Sequence, residues 1–571
     1  MIGRRLKALR IGNFKAFAAT QSIPLKPITL VFGPNSSGKS SFVHSVAMAH
    51  EAMRTGMLDI HWSEIGGSSI DLGGFRQFVH KTDRTKRVEW GIDINVAALD
   101  SALAESLVGA ATVSIDLAFG LEGENPGLLW FDEPVDPAAT LQGMGDQGKS
   151  NEKDEASVVV IAYQLSVDSQ PVLRMSRRRD GSMAIDSLAT DHPVFRRIVD
   201  AIAASGSFKI EISDVDRSAV VAVINELVPK FSGRIVNFLP ELDPTSVFQG
   251  ADAPMAGGIL APQAPLEDTV HLFFPRQVAA LMDAIHKVVR GEIGSLSYLG
   301  PLRSFPARHM TFAEQDDRNW YAGGGYAWDV VKRNATVRDA VNKWLGAAFM
   351  KTPYRLGVRA LVALDQMRNP LAITLEEIVE NLDVVRSEEH EWVAQIEDSD
   401  ATALQIIRSL RESNIDKVSE LVLIDQRTKT VVSHRDVGIG ISQVLPVLVQ
   451  AFASRERIIA MEQPEIHLHP ALQAELGDVF IEAALGDRRN TLILETHSEH
   501  LVLRLLRRIR ESSSNELPDG QRALTPNDIC VVYAQPTAEG TVMKELRVTP
   551  DGDFEGQWPD GFFAERAKEL F

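Results

Sequence analysis

The feature that most constrains the fold is a glycine-rich loop near the amino terminus, at residues 33–40. Its sequence, "GPNSSGKS", fits the pattern G-x-x-x-x-G-K-[ST]. An apolar run, "ITLVF", precedes the loop, and a helical pattern, "SFVHSVAMAH", follows it. Since this pattern requires a strand before the loop and a helix after it, it predicts an α/β domain that binds a nucleotide phosphate.

Each residue type in the loop has a chemical reason. Glycines let successive backbone N–H groups surround a phosphate, and the helix amino terminus adds its positive end. Lys39 is placed to reach the outer phosphates of ATP, and Ser40 is placed to bind Mg²⁺. The predicted ATP-binding residues are Gly33, Pro34, Asn35, Ser36, Ser37, Gly38, Lys39, Ser40 and Ser41.

Length and composition limit the class of protein. A chain of 571 residues predicts two or more structural units, and 44% hydrophobic with 24% charged residues is typical of a globular protein. Neither a long apolar run nor a signal-peptide core is present, so we expect a cytoplasmic protein. The single cysteine, Cys530, lies in the apolar run "DICVVYA" and is predicted to be a buried strand residue.

The net charge of −18 disfavours a protein whose surface is broadly suited to nucleic acid. Three basic clusters remain, at residues 4–10, 174–179 and 504–510. Each is either a solvated face or a local contact with a nucleic-acid backbone, and both interpretations stay open at this point.

Two stretches offer the strand-end carboxylate that a phosphate loop needs for Mg²⁺. Asp132 and Glu133, in "GLLWFDEP", lead into a segment rich in glycine, proline and charge, which indicates a surface loop. In "IIAMEQPEIHLHP" an apolar run ends on Glu462, and Glu465 follows three positions later. We therefore favour the second stretch and interpret the first as coincidence.

Two further motifs flank these glutamates. Upstream, "DVGIGISQVLP" is a small-residue turn that opens an apolar helix, and downstream, "NTLILETHSEHL" is a strand that ends at His497. The residues of the upstream signature are Gly438, Gly440, Ser442 and Gln443. This order of phosphate loop, glycine-serine turn, strand-end carboxylates and histidine is typical of ABC-type ATPases.

With these motifs the chain resembles the SMC, RecF and OLD branch of ABC-type ATPases. More narrowly, it resembles the AAA-family ATPases of bacterial phage defence, such as the ATPase subunit of Septu systems. "YLGPLRSFPAR" and "GQWPDGFF" resemble a subgroup with a short C-terminal module. The resemblance implies an α/β ABC-type ATPase head, and the periodicity of the remaining residues predicts an antiparallel β-subdomain, a helical insertion and no long coiled coil.

The resemblance also implies roles for individual residues. Glu462 would support Mg²⁺ together with Ser40, Glu465 would be the general base, and His497 would sense the γ-phosphate. Ser442 and the backbone around Gly440 would cap ATP that is bound to a second protomer. ATP and Mg²⁺ are thus the expected cofactors, and the expected assembly is a homodimer, or a higher oligomer, closed around ATP.

Three assignments leave alternatives open. Gln77 is either the loop glutamine that contacts Mg²⁺ or an exposed glutamine at a strand edge. Arg303 is either a phosphate or interface arginine or part of a structural salt bridge. His467 and His469 form a His-x-His pair, but no cluster of cysteine or histidine completes a zinc site, so we predict a turn after the strand.

Periodicity predicts the organisation of the remainder. Residues 85–185 alternate like antiparallel strands, and three stretches between 190 and 295 have helical spacing. An acidic helical stretch, residues 375–413, lacks sustained heptads. The predicted domains are an amino-terminal ATPase lobe at 1–185, a helical insertion at 186–295, a mixed region at 296–420, a carboxy-terminal ATPase lobe at 421–512 and a short module at 513–571.

The sequence therefore predicts a dimeric, ATP-hydrolysing switch that senses or binds nucleic acid and controls a separate effector, a nuclease or toxin, in antiphage defence. Two alternatives are a DNA repair or maintenance ATPase of the RecF and SMC type, and an ATP-bound scaffold of low turnover that restrains a toxin. The tail after His497 is shorter than the Toprim nuclease domain of OLD proteins, so we expect a partner to do any cutting.

Overall fold

A computed structural model describes residues 5–107, 109–122, 157–205, 214–248, 266–303, 319–362, 417–432 and 437–556. These residues form two compact units. The first contains the described residues up to 303, with 319–325 and 446–556. The second contains the described residues between 326 and 445.

The described strands and helices are numbered in chain order. The strands are β1 Leu6–Gly12, β2 Gln21–Pro24, β3 Ile28–Phe32, β4 Val88–Asn95, β5 Thr112–Leu121, β6 Val158–Val167, β7 Gln170–Arg177, β8 Met183–Leu188, β9 Ser232–Val236, β10 Leu239–Asp243, β11 Ser297–Leu299, β12 Tyr354–Val362, β13 Lys417–Asp425, β14 Thr430–Val432, β15 Ile458–Glu462, β16 Thr491–Glu495, β17 Ile529–Pro536 and β18 Thr541–Leu546. The helices are α1 Lys39–Thr55, α2 Phe75–Phe78, α3 Ser101–Ser106, α4 Pro193–Ser205, α5 Asp214–Leu227, α6 Leu266–Gly294, α7 Gly325–Arg333, α8 Ala335–Leu345, α9 Ile439–Ala453, α10 Pro470–Leu485 and α11 Glu499–Ser513.

A six-stranded sheet forms the core of the first unit, in the order β11-β15-β16-β3-β17-β18. The first five strands run parallel, and β18 is antiparallel to β17. Strands β3 and β15 are buried along their whole length and β16 along most of it, as expected for parallel strands covered on both faces. The predicted α/β architecture is confirmed.

Strand register brings the candidate site together at one edge of this sheet. Glu462 at the end of β15 pairs with Glu495 at the end of β16, and Glu495 pairs with Val31 of β3. Because parallel strands share a direction, their carboxyl ends meet at the edge where the phosphate loop begins. The two strand ends and the loop are thus neighbours despite their separation in sequence.

A second sheet in the first unit is antiparallel and has nine strands, in the order β10-β9-β8-β7-β6-β5-β4-β1-β2. It contains the alternating segments of residues 85–185, and its buried positions join a continuous core with α1 and α6. The predicted antiparallel β-subdomain is confirmed. Asp132 and Glu133, the rejected carboxylates, lie outside the described residues.

The three helical stretches predicted between residues 190 and 295 form α4, α5 and α6. Strands β9 and β10, which belong to the nine-stranded sheet, lie between α5 and α6 in the chain. The helix α6 has 29 residues and packs against α1, α4 and α5. In the second unit, β12, β13 and β14 form an antiparallel sheet, in which β13 and β14 are a hairpin. The acidic stretch at 375–413 lies outside the described residues, and the five predicted domain boundaries remain a prediction.

The predicted C-terminal module contributes directly to the core sheet. Strand β17 pairs in parallel with β3, the strand that leads into the phosphate loop. Cys530 on β17 is buried, which raises the pKa of its thiol to about 12, as its apolar surroundings predict. The Thr541 hydroxyl on β18 donates to the Ser37 carbonyl at 2.7 Å. Residues after 513 therefore support the loop and complete its sheet.

No described helix combines the length and the apolar character needed to cross a bilayer.

A buried tyrosine–histidine pair links the antiparallel sheet to α6. The Tyr163 hydroxyl and Nε2 of His286 lie 2.8 Å apart, and both side chains are buried. Burial, with a smaller contribution from Arg290, lowers the pKa of His286 to about 3. The imidazole is therefore neutral in the folded protein near pH 7.

This pair is expected to make the fold sensitive to acid. Below pH 6.5, the usual histidine pKa, His286 binds a proton in the unfolded chain, whereas in the folded chain it does so only near pH 3. The free energy of unfolding therefore falls by about 1.4 kcal/mol per pH unit as the pH drops from 6.5 toward 3. His286→Gln removes this contribution. The midpoint of thermal unfolding should fall more between pH 7.5 and 5.5 for the wild type than for His286→Gln, whereas the exposed His61→Gln variant should behave like the wild type. Equal declines in all three would contradict the assignment.

Candidate nucleotide site

The phosphate loop joins β3 to α1 and depends on two glycines. Gly33 has φ of +147°, and a Cβ there would lie 2.7 Å from the carbonyl oxygen of Ala534. Gly38 caps α1 with φ of +87°, and a Cβ there would lie 2.5 Å from the Ala16 side chain. Both positions therefore require glycine for conformation and for space.

Lys39 lies at the first position of α1 and is only 4% exposed. Its ammonium donates to the carbonyl oxygens of Gly33 at 3.1 Å and Pro34 at 2.8 Å. Burial lowers the pKa of Lys39, and the nearby carboxylates of Glu495 and Glu465 oppose that shift. The Lys39 ammonium therefore hydrogen bonds to two loop carbonyls, and it could exchange these bonds for bonds to a phosphate.

Glu462 is fixed through one of its two oxygens. The Tyr298 hydroxyl on the neighbouring strand β11 donates to Oε1 at 3.0 Å, and Nε2 of His44 on α1 lies 3.3 Å from the same atom. The Lys15 ammonium lies 2.7 Å from Nδ1 of His44. An ammonium can only donate, so Nδ1 of His44 accepts from Lys15. The Glu462 carboxylate is thereby anchored through Oε1.

Glu465 lies in the turn after β15 and is 6% exposed. Its Oε1 accepts from the backbone N–H of His497 at 2.7 Å, and the Thr496 side chain also hydrogen bonds to the carboxylate. Its Oε2 is buried and has no hydrogen-bond partner among the described residues. Burial raises the pKa of Glu465, which brings it closer to that of an effective base near neutral pH.

Sequence analysis assigned no role to Glu495, and the structure brings it into the site. It is 3% exposed, and its Oε2 has no hydrogen-bond partner among the described residues. The Ser40 side chain hydrogen bonds to this carboxylate, while burial and repulsion from Glu462 raise its pKa. A signal was present in the sequence, since Glu495 is a charged residue ending an otherwise apolar strand.

The two histidines after Glu465 have different surroundings. His469 is the N-cap of α10, where Nδ1 accepts from the Ala471 backbone N–H at 3.3 Å. His467 has φ of +63° and lines a small pocket together with Glu465 and His497. The stretch is a turn, as predicted, with His469 in a structural role and His467 beside the candidate base.

His497 follows β16 and is partly buried. Burial and the charge of Lys39 lower its pKa, so the ring is neutral near pH 7. The next residue, Ser498, caps α11 by accepting from the Leu501 backbone N–H at 3.1 Å and donates to Gln473 at 2.7 Å. The "ETHSEHL" motif therefore combines a site residue with a helix start.

Arg303 has a structural role, mainly through hydrogen bonds to backbone carbonyls. It is 6% exposed, and its guanidinium donates to the carbonyl oxygens of Gln463 at 2.9 Å and Pro464 at 3.4 Å. These carbonyls belong to the turn that carries Glu465, and the positive charge also acts on that carboxylate. Arg303 thus stabilises the turn through backbone carbonyls and through its charge.

Gln77 lies on the short helix α2 and not at a strand edge. It is exposed, and its carboxamide lies so close to Gly73 that a Cβ there would be 2.0 Å from Oε1. The proposed contact between Gln77 and Mg²⁺ remains a prediction.

The signature residues open helix α9 in the second unit. Gly438 is exposed, and no atom of the described residues lies within 4 Å of a Cβ built on it. Ser442 and Gln443 are buried, at 3% and 4% exposure. The accessible part of the signature is therefore its glycine end, and the role of Ser442 toward a second protomer remains a prediction.

Two of the three basic clusters, at residues 504–510 and 4–10, contain arginines in internal ion pairs. On α11, Arg508 donates to Asp478 at 2.7 and 2.8 Å, and Arg504 donates to the same carboxylate at 2.6 Å. In the first cluster, Arg10 pairs with Asp116 at 2.7 Å. These arginines are largely buried and already neutralised, so they stabilise the fold and do not form a basic surface.

The donor atoms at this edge suit Mg²⁺. The cation prefers oxygen ligands and usually takes one or two carboxylates together with substrate phosphates. The Ser40 hydroxyl and the strand-end carboxylate of Glu462 provide such donors, and the neighbouring Glu495 has a buried oxygen with no hydrogen-bond partner among the described residues. Among the described residues, no group of three or more His, Cys, Asp or Glu side chains forms a metal site. A cation that shares its ligands with a nucleotide fits these residues.

Comparison with known proteins agrees with an ATPase assignment for part of the chain. Residues 334–502 match the AAA ATPase domain family. That match includes the signature, Glu462, Glu465 and His497, whereas the phosphate loop lies before it. No curated protein matches the chain.

Solved structures similar to the chain include heads of SMC proteins. One is an Smc head bound to the C-winged helix domain of ScpA, with TM-score 0.31 and 11% identity over 95% of this chain and 98% of that one. Another is the SMC head domain from Thermotoga maritima, with TM-score 0.32 and 8% identity over 95% and 100%. A third is an Smc head with an extended coiled coil bound to the C-terminal domain of ScpA derived from Pyrococcus furiosus, with TM-score 0.31 and 9% identity over 99% and 98%. From the family match, the chain contains a segment similar to the AAA ATPase domain.

Proposed function

We propose that this chain is a Mg²⁺-dependent ATPase whose two copies close around ATP and which controls a separate effector, a nuclease or toxin, in antiphage defence. The observation that carries the ATPase part is the placement of Lys39 and Glu465 at one sheet edge, close enough for their charges to interact. The effector and the defence role rest on the resemblance of the motifs.

The arrangement supports water activation by Glu465. Its Oε1 is held by the His497 backbone and Thr496, which leaves Oε2 to accept a proton from an attacking water. Lys39 and the loop N–H groups would bind and orient the phosphates. Ser40 and Glu462 would hold Mg²⁺, which when bound supplies positive charge to the phosphate oxygens.

The dimer is tested by complementation between two inactive variants. Lys39→Ala removes the phosphate-loop lysine. Gly438→Asp places a carboxylate at an exposed position with space for a side chain among the described residues. That carboxylate would repel the γ-phosphate of ATP bound to the partner protomer. Each variant should lack ATP turnover alone. Mixed, they should recover turnover, because a heterodimer joins the intact loop of one protomer with the intact signature of the other.

The matched control is Gly291→Asp. Gly291 is exposed on α6, and no atom of the described residues lies within 4 Å of a Cβ built on it. This variant should hydrolyse ATP like the wild type. Absence of recovery in the mixture, with both variants folded, would mean that the signature does not act across a dimer.

Two outcomes favour other functions. Turnover close to zero in wild-type protein that binds ATP would favour a scaffold that restrains a toxin. Binding of duplex DNA that weakens steeply with rising salt, and only in the presence of ATP, would favour a maintenance ATPase, since phosphate contacts release counterions.

A further inference from the structure

Glu495 is the site residue whose burial most needs an explanation. It ends β16 between Val31 of β3 and Glu462 of β15, and 3% of it is exposed. Burying a carboxylate costs free energy unless a partner compensates the lost hydration. The physical question is which group compensates Glu495.

The protein supplies only part of that compensation. The Ser40 side chain hydrogen bonds to the carboxylate, and Lys39 is the nearby positive charge. Glu462 and Glu465 are also close, and both repel it. The remaining oxygen, Oε2, is buried with no hydrogen-bond partner among the described residues. A carboxylate with a purely structural role would be expected to have both oxygens satisfied by the protein.

Each of the other two carboxylates has an additional cation nearby. Arg303 acts on Glu465, and Lys15 acts on Glu462. Glu495 shares Lys39, which the resemblance assigns to the phosphates of ATP. When a phosphate takes Lys39 as its partner, a second cation beside Ser40 would balance Glu495.

We propose that Glu495 is a ligand for the divalent cation of the nucleotide site, contributing Oε2 beside Ser40 and Glu462. The inference rests on the ATPase function proposed above. It adds the Glu495 carboxylate to Ser40 and Glu462, the cation ligands predicted from the motifs. Its place is set by strand register, because the ends of β15 and β16 are adjacent in the sheet.

The experiment measures cation binding directly. Mn²⁺ replaces Mg²⁺ as a paramagnetic probe, and its affinity for the full chain with a non-hydrolysable ATP analogue is followed by electron paramagnetic resonance. Glu495→Gln keeps the size of the side chain and an acceptor for Ser40 but removes the charge. We expect its Mn²⁺ affinity to fall by about tenfold or more. Its affinity for the analogue in EDTA should stay within about twofold of the wild type, since the loop contacts remain.

Two further variants make the result specific. Glu495→Asp keeps the charge but retracts it by one methylene, so its Mn²⁺ affinity should lie between those of Glu495→Gln and the wild type. It also carries the test if Glu495→Gln fails to fold. Glu482 lies on α10 and pairs with Arg522, and the Glu482→Gln variant should bind Mn²⁺ like the wild type.

The outcomes separate this inference from the proposed function. Wild-type Mn²⁺ affinity in the folded Glu495 variants would overturn the ligand role while leaving the ATPase intact. Equal losses of analogue binding in EDTA and of Mn²⁺ binding would also overturn it, because they would indicate a role in holding Ser40 and the loop. Failure of the wild type to bind the analogue and Mn²⁺ together would overturn both.

Discussion

Glu465→Gln is expected to keep ATP binding and to lower ATP turnover by about 10²–10⁴-fold, the usual contribution of a general base. Glutamine preserves the acceptor for the His497 N–H but cannot take a proton from water. Since the assembly would open only after hydrolysis, the variant should also accumulate as a dimer in ATP. Phosphate release, ATP affinity and sedimentation with ATP measure these three properties.

Glu475→Gln provides a comparison for this result. Glu475 lies on α10 and pairs with Arg504 at 3.0 Å, outside the candidate site. Its replacement should leave turnover unchanged. Full turnover in folded Glu465→Gln would remove Glu465 from the role of base and would direct attention to the other carboxylates at the same edge.

Lys39→Ala is expected to weaken ATP binding by about a hundredfold or more. The ammonium is buried against the loop, and its charge-assisted hydrogen bonds to phosphate are each worth about 1.5–3 kcal/mol. Titration with a fluorescent ATP analogue measures the change, and a thermal unfolding curve establishes that the loop variant is folded.

The control for Lys39 is Lys230→Ala, which removes an exposed ammonium paired with Glu226 at 2.9 Å. Its ATP affinity should match that of the wild type. If Lys39→Ala bound ATP as tightly as the wild type, the phosphate-loop assignment would be wrong, and the function proposed from it would fail as well.

Local patterns determined much of the ATPase core. The loop of residues 33–40, the strand ends at Glu462 and Glu495 and the helix starts at Ser498 and Ile439 follow from short-range patterns of apolar, glycine and capping residues. The antiparallel subdomain followed from alternation, which reports which face of a strand is buried. These features are encoded within a few residues of each other.

Local sequence patterns did not predict which side chains surround each carboxylate. Tyr298 reaches Glu462 from a strand 164 positions earlier in the chain, and His44 reaches it from α1. Asp478 lies 30 residues before Arg508, so the arginine-rich helix looked basic in sequence although Arg504, Arg507 and Arg508 each form ion pairs. Such partners depend on which strands and helices become neighbours, which no local period reveals.

The sequence by itself determined the phosphate-loop motif of residues 33–40, because its glycines, lysine and serine lie within one short segment. From that motif we predict that Lys39 binds nucleotide phosphate and that Ser40 binds Mg²⁺. The tertiary structure alone decided that Glu495 joins the site, because only the register of β15 against β16 places it beside Glu462. It also decided that β17 and β18 belong to the core, since β3 needs a neighbour on its second edge to bury its apolar side chains and satisfy its backbone.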